Sequence, residues 1–132
     1  MATRRRRILF VTPPYHCGVV EVAGSWPPLG FLYLGAQAEA AGWEAEVYDA
    51  MTLNHTLADV RRTLESRYFD VIATTAITPT YPDACEVLTI AKELYPDCTT
   101  LMGGVHPTFC AKEILTAPDS VVDYIIGGEA EL

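Results

Sequence analysis

The chain has 132 residues, 50% of them hydrophobic and 20% charged, which is the composition of one globular domain and excludes a disordered or fibrous chain. Seventeen acids against nine Lys and Arg give a net charge of −8, and four of the nine bases are confined to the run Arg4–Arg7. A body that acidic repels phosphate backbones, so nucleic acid is not an expected partner.

No apolar stretch approaches the ~18 residues that a membrane span requires. The arginine run followed by Ile8-Leu9-Phe10-Val11 imitates a secretory signal. However, Thr12-Pro13-Pro14 ends the apolar segment after four residues, short of the ~7 such a signal needs. Residues 1–7 therefore read as a solvated basic tail, residues 8–132 as the domain, and the protein as cytoplasmic. Cys17, Cys85, Cys98 and Cys110 form no CxxC pair, so they read as reduced cytosolic thiols, three of them packed, rather than a zinc or iron–sulfur site.

In chain order, Ile8–Val11 is a continuously apolar strand, followed by a loop from Thr12 to Trp26 that holds Pro13, Pro14, Gly18 and Gly24. Pro27-Pro28 opens a helix in which Leu29, Leu32 and Ala36 keep helical spacing, with Gly42 as its stop. Trp43–Asp49 alternates, setting Trp43, Ala45 and Val47 against Glu44, Glu46 and Tyr48, which predicts a strand with one wet face. Thr56 caps a helix whose stripe is Leu57, Val60, Leu64 and Tyr68. Val71-Ile72-Ala73 is a buried strand running into Thr74-Thr75. Ala84, Val87, Leu88 and Ala91 mark a third helix closed by Pro96. Thr99–Met102 is a strand ending at Gly103-Gly104, residues 107–117 are a helix, and Val122–Ile126 is a fifth strand ending at Gly127-Gly128.

Strands and helices that alternate with no hairpin turn predict an α/β, flavodoxin-like (Rossmann-like) three-layer sandwich around a parallel sheet. The alternating second strand belongs at an edge, giving the order 2-1-3-4-5. No helix follows the fifth strand, which reads as a domain truncated before a further one.

In this fold the ligand crevice lies beyond the carboxyl ends of the strands, and the unusual residues fall there. Tyr15, His16 and Cys17 follow strand one, Thr74-Thr75-Ala76-Ile77-Thr78-Pro79-Thr80 follow strand three, and Gly103-Gly104-Val105-His106 follow strand four. Hydroxyls also cap helices and double glycines also make turns, but three adjoining loops together favour a ligand. A dinucleotide fingerprint is absent, Pro13-Pro14 removes two donors from a phosphate loop, and Thr12 and Thr74 stand where a phosphoacceptor domain needs acids.

The segment from Thr74-Thr75-Ala76 to Gly103-Gly104, separated by the 26 residues Ile77 to Met102, resembles the cobalamin-binding domains. Their pattern is Ser-x-Leu after the third strand and Gly-Gly after the fourth. That resemblance implies a hydroxyl for the buried base of the cofactor's nucleotide tail, with Thr74 for Ser, and glycines where a side chain would collide with it. The family's Asp-x-His-x-x-Gly motif is lost: Pro14 and Val19 stand at the Asp and Gly positions around His16, so His16 is not expected to ligate cobalt and no metal ligand is assigned.

Three further segments resemble a narrower group, the N-terminal domains of cobalamin-dependent radical S-adenosylmethionine enzymes. They are Ile8–Pro14, Trp26-Pro27-Pro28-Leu29-Gly30 and Gly103-Gly104-x-His106-Pro107-Thr108. Tyr15-His16, Asp49-Ala50-Met51-Thr52 and Thr75-Ala76-Ile77-Thr78-Pro79 look most like the anaerobic magnesium-protoporphyrin IX monomethyl ester oxidative cyclases of bacteriochlorophyll synthesis. The usual Gly-Glu-Gly-Glu ending of the group stands here as Gly128-Glu129-Ala130-Glu131.

The resemblance implies a cobalamin contact set of Tyr15 and His16, then Thr74, Thr75, Ala76, Ile77, Thr78 and Pro79, then Gly103, Gly104, Val105 and His106, and finally Gly128 and Glu129. It implies a whole enzyme that forms the isocyclic ring of a magnesium porphyrin, an oxidoreductase using a [4Fe-4S] cluster and S-adenosylmethionine. Those would be held by a C-terminal radical domain that also binds most of the porphyrin. The CxxxCxxC motif is absent from these residues, so no catalytic residue is assigned here. A module of a cobalamin-dependent radical methyltransferase, and a flavodoxin-like docking domain that binds no cofactor, are the alternatives.

Overall fold

The computed structural model describes residues 4–14 and 28–128. Its elements are β1 (Arg7–Val11), α1 (Leu29–Ala40), β2 (Glu44–Tyr48), α2 (Leu57–Glu65), β3 (Val71–Thr75), a 3₁₀ turn (Thr78–Thr80), α3 (Tyr81–Leu94), β4 (Thr99–Gly103), α4 (Val105–Thr116) and β5 (Tyr124–Ile125). The strands form one parallel sheet in the order β2-β1-β3-β4-β5, as the sequence predicts. Leu9 of β1 stands opposite Glu46 on one side and Ile72 on the other, and Met102 of β4 opposite Ile125.

Local chemistry sets the helix ends. The Thr56 hydroxyl accepts the Asp59 N–H at 3.3 Å while the Asp59 carboxylate accepts the Thr56 N–H at 2.9 Å, a reciprocal cap that satisfies donors at the start of α2. After α1 the chain turns at Gly42, φ +94°, a conformation that costs L side chains steric energy.

The two faces of the sheet are covered unequally. Leu9, Val11, Ile72 and Met102 point to one face, where α2, α3 and α4 supply Val60, Leu64, Val87, Leu88 and Ile114. Each large side chain buried there contributes ~1.5–3 kcal/mol. Ile8, Phe10, Val71 and Ala73 point to the other face, which among the described residues only α1 covers, with Phe31, Leu34 and Ala38. Among the described residues one half of that face is left without a helix, and this asymmetry places the candidate site.

Four expectations are corrected. Tyr48, expected on the wet face of β2, is buried, because α2 packs on that side; its hydroxyl bonds His55 Nδ1 and accepts from the Thr63 hydroxyl at 3.4 Å. Tyr68 lies beyond the end of α2 and sets its ring edge-on to Tyr95, centroids 5.2 Å apart. The fifth strand holds only Tyr124 and Ile125 rather than residues 122–126. Arg7 does not belong to the solvated tail: it opens β1 with its guanidinium over Phe69, while Arg4, Arg5 and Arg6 are exposed, Arg6 lying over Trp43 and Arg4 gripping Asp70 at 2.9 and 3.3 Å. Cys98 is buried and Cys85 and Cys110 half-buried, all free thiols, and Cys17 lies outside the described residues. No helix among the described residues is long and apolar enough to cross a membrane.

Candidate functional site

The under-covered face holds a cavity of about 480 Å³. Because the strands are parallel, their order along the cavity follows the sequence: Ile8 to Phe10 to Thr12 on β1, Ala73 to Thr75 on β3, and Leu101 to Gly103 on β4. The inner end is apolar, with the Phe10 and Phe31 rings 5.3 Å apart at 37°, while hydroxyls and bare backbone gather at the carboxyl edge of the sheet. Such a concave apolar site with a few polar groups at its edge suits a flat ligand entering from that edge.

Two adjacent threonines divide the work by parity. Thr74, expected to offer its hydroxyl to a ligand, is buried and donates instead to the Val11 carbonyl at 2.7 Å. Strand alternation puts its side chain on the face of Ile72, away from the cavity. Thr75 stands on the cavity face with Ala73, and its hydroxyl makes no hydrogen bond among the described residues. The hydroxyl left free at the cavity is therefore that of Thr75, one residue after the one the sequence pattern singles out.

The two glycines also differ. Gly103 lies on the cavity face, where a Cβ would meet nothing nearer than the Ile126 carbonyl at 3.7 Å. Gly104 has φ +103°, and a Cβ there would fall 2.6 Å from the Ala76 carbonyl oxygen and 2.7 Å from the Thr75 hydroxyl. The glycine at 104 thus makes room for the chain itself, and the glycine at 103 leaves room in the cavity.

Of the remaining sequence candidates, Gly128 lines the cavity. The Ala76 methyl is buried in the three-helix core, while its N–H donates to Gly103 O and its carbonyl accepts from the His106 N–H. Ile77 and Val105 are exposed and, with Thr78, Pro79 and His106, do not line the cavity. The His106 ring stacks on Tyr81, centroids 4.4 Å apart, with Nδ1 3.1 Å from the Thr78 hydroxyl. Burial, followed by the neighbouring Cys85 thiol, pushes the Tyr81 phenol up to about 12. Tyr15, His16 and Glu129 lie outside the described residues.

Phe10, Phe31, Leu34 and Leu101 were not picked out by sequence reasoning, because apolar side chains at strand and helix spacing read as core. Thr12 also lines the cavity; its hydroxyl donates to Asp49 at 2.9 Å and accepts the Met51 N–H at 3.2 Å. Asp49 in turn accepts from the Thr52 N–H and hydroxyl, which makes it a loop cap rather than a ligand contact.

Residues 15–132 match the family of the B12 binding domain. The chain is 40% identical over 127 residues to the anaerobic magnesium-protoporphyrin IX monomethyl ester cyclase of Rubrivivax gelatinosus, covering 95% of this chain and 22% of that protein. It is 42% identical over 130 residues to the same-named protein of Cereibacter sphaeroides, covering 95% and 20%. The chain therefore spans about a fifth of the length of these relatives. Among solved structures, the cobalamin-dependent S-adenosylmethionine radical enzyme OxsB with aqua-cobalamin bound matches 96% of this chain and 17% of its own, with TM-score 0.74 and 17% identity. At that identity the likeness concerns the fold.

Proposed function

The chain belongs to the B12-binding domain family, and from that premise we propose that it is the corrinoid-holding module of an anaerobic cyclase that closes a ring on a magnesium porphyrin. The observation that carries the site assignment is the cavity beneath Thr75 and Gly103: apolar inside, open where a Cβ at Gly103 would project, with one uncommitted hydroxyl at its edge. A planar heterocycle on a nucleotide tail would suit those features, with Phe10 and Phe31 available to hold its apolar ring and the Thr75 hydroxyl available to donate to a ring nitrogen. Gly103 and Gly128 leave space for the tail's passage, and Thr12, locked by Asp49, shapes the wall beside it.

The corrinoid, when bound, supplies a redox-active cobalt to the chemistry of the whole protein. The residues of this chain would bind and orient it. The porphyrin, the iron–sulfur cluster and S-adenosylmethionine would be handled by a further domain of the same protein, acting in the cytoplasm. The identities of 40% and 42% to two proteins named for the cyclase reaction support this reading over the methyltransferase and docking alternatives.

Titration of corrinoid-free protein with hydroxocobalamin, followed by absorption after desalting, tests the proposal. A retained corrin band that Gly103→Val removes without shifting the thermal melt is the expected result. A wild-type protein that retains no corrinoid would overturn it.

A further inference from the structure

We infer that the cavity selects corrinoids by the base that ends the nucleotide tail, accepting a benzimidazole and rejecting a purine, with Phe10, Phe31 and Leu101 as the specificity-determining side chains. The inference rests on the corrinoid reading above and deepens it.

The polar residues at the cavity, among those described, are Thr12, Thr74 and Thr75, and Thr74 turns its side chain to the opposite face of the sheet. Two of these hydroxyls are committed: Thr12 donates to Asp49 and accepts from the Met51 N–H, and Thr74 donates to the Val11 carbonyl. Among the described residues Thr75 alone has a side-chain hydroxyl left for a ligand, and it can serve one nitrogen. β1, β3 and β4 are each paired on both sides, so their inner backbone groups are taken up by the sheet. Among the described residues, the side chains deeper than Thr75 are aromatic or aliphatic.

A benzimidazole and a purine share the five-membered ring, whose free nitrogen suits the Thr75 hydroxyl. They differ in the six-membered ring. In a benzimidazole it is hydrocarbon and matches Phe10, Phe31 and Leu101. In adenine it carries two ring nitrogens and an exocyclic amine, which would lose their water on entry and find no partner among the described residues. An unpaired buried polar group costs more than a hydrogen bond gains, so rejection comes from the purine's unmet needs rather than from its size.

The test uses corrinoid-free protein and three probes: cobalamin, the cobamide with adenine as its base, and cobinamide, which lacks the nucleotide. Dissociation constants are read by absorption and calorimetry. Cobalamin is expected to bind about tenfold or more tightly than the adenine cobamide, with the latter close to cobinamide. Leu101→Asn, which places an amide acceptor in the cavity, is expected to narrow that ratio; its thermal melt is measured alongside. If Leu101→Asn does not fold, the three-probe series on the wild type still decides. Equal binding of the two complete cobamides, both tighter than cobinamide, overturns the selectivity while leaving the corrinoid reading standing. Cobalamin binding no tighter than cobinamide shows that the tail is not in this cavity. Failure of all three to bind removes the corrinoid reading itself.

Discussion

A Cβ on Gly104 would lie 2.6 Å from the carbonyl oxygen of Ala76, which is closer than carbon and oxygen can approach without one of them moving. That carbonyl already accepts the His106 N–H, and Ala76 N–H donates to Gly103 O, so the turn after β3 and the start of α4 are locked together through this contact. Gly104→Ala is therefore a folding variant. It is expected to cost on the order of 2–4 kcal/mol from overlap and from the positive φ, read as a lower urea midpoint.

Gly103→Val is the complementary case. Its side chain would project into the cavity, where the nearest atom is the Ile126 carbonyl at ordinary contact distance. Stability is expected to stay within about 1 kcal/mol of wild type, while corrinoid retention is lost. Parallel thermal melts and hydroxocobalamin titrations of the two glycine variants check both halves; a Gly103→Val protein that binds normally would place the ligand elsewhere.

The neighbouring threonines make a second such pair. Thr75→Val removes the uncommitted cavity hydroxyl and is expected to weaken cobalamin binding by about 1–3 kcal/mol with an unchanged melt. Thr74→Val breaks the bond to the Val11 carbonyl between two central strands and is expected to lower stability by about 1 kcal/mol. The opposite assignment of the two phenotypes would show that strand parity has been read the wrong way round.

Acid should loosen the amino-terminal edge of the sheet and the β4–β5 junction together. Burial opposes ionisation of Asp70, but Arg4 and the Arg7 N–H outweigh it and hold its pKa below the ordinary carboxylate range. Burial likewise opposes ionisation of Asp123, and Lys92 at 2.6 Å with the Thr100 N–H at 3.0 Å prevails. A folded pKa below the unfolded one gives stability that is complete above the ordinary aspartate value of ~3.9 and is lost as pH falls through the folded values. Urea midpoints measured from pH 7 down to pH 3 are expected to fall steeply below about pH 4. The fall should be shallower in Asp70→Asn and in Asp123→Asn.

Tyr81 gives a spectroscopic handle on the packing of α3 against His106. Burial first, and the Cys85 thiol next, raise its phenol to about 12. Tyr81→Phe is expected to remove the last phenolate to appear in an alkaline absorbance titration of folded protein and to leave the earlier ones unchanged. Loss of an early-titrating phenol instead would mean that Tyr81 is open to solvent.

The parallel sheet and its strand order were legible in the residues themselves, because both follow from short-range patterns; of the crevice, the loops at the strand ends marked Thr75, Gly103, Gly104 and Gly128, which line the cavity, together with Ile77, Thr78, Pro79, Val105 and His106, which do not. Continuous apolar runs mark central strands, one alternating run marks an edge, and loops rich in hydroxyl and glycine residues at strand ends mark the crevice. Strand parity, too, is written in the sequence: Thr74 and Thr75 must face opposite ways. Which face carries the cavity is not written there. It depends on three helices packing against Leu9, Ile72 and Met102 while, among the described residues, α1 alone covers Ile8 and Phe10, and helix placement is settled by long-range packing that no local pattern encodes. The same limit hid Tyr48, whose burial needs α2 against the far side of β2, and the arginine run, whose partners Asp70, Trp43 and Phe69 lie far along the chain. It also hid the division between Gly103 and Gly104, because a double glycine in a sequence says only that backbone must come close to something. Only the folded chain shows that at Gly104 the neighbour is Ala76 in collision range, and that at Gly103 the nearest atom, the Ile126 carbonyl, stands at ordinary contact distance.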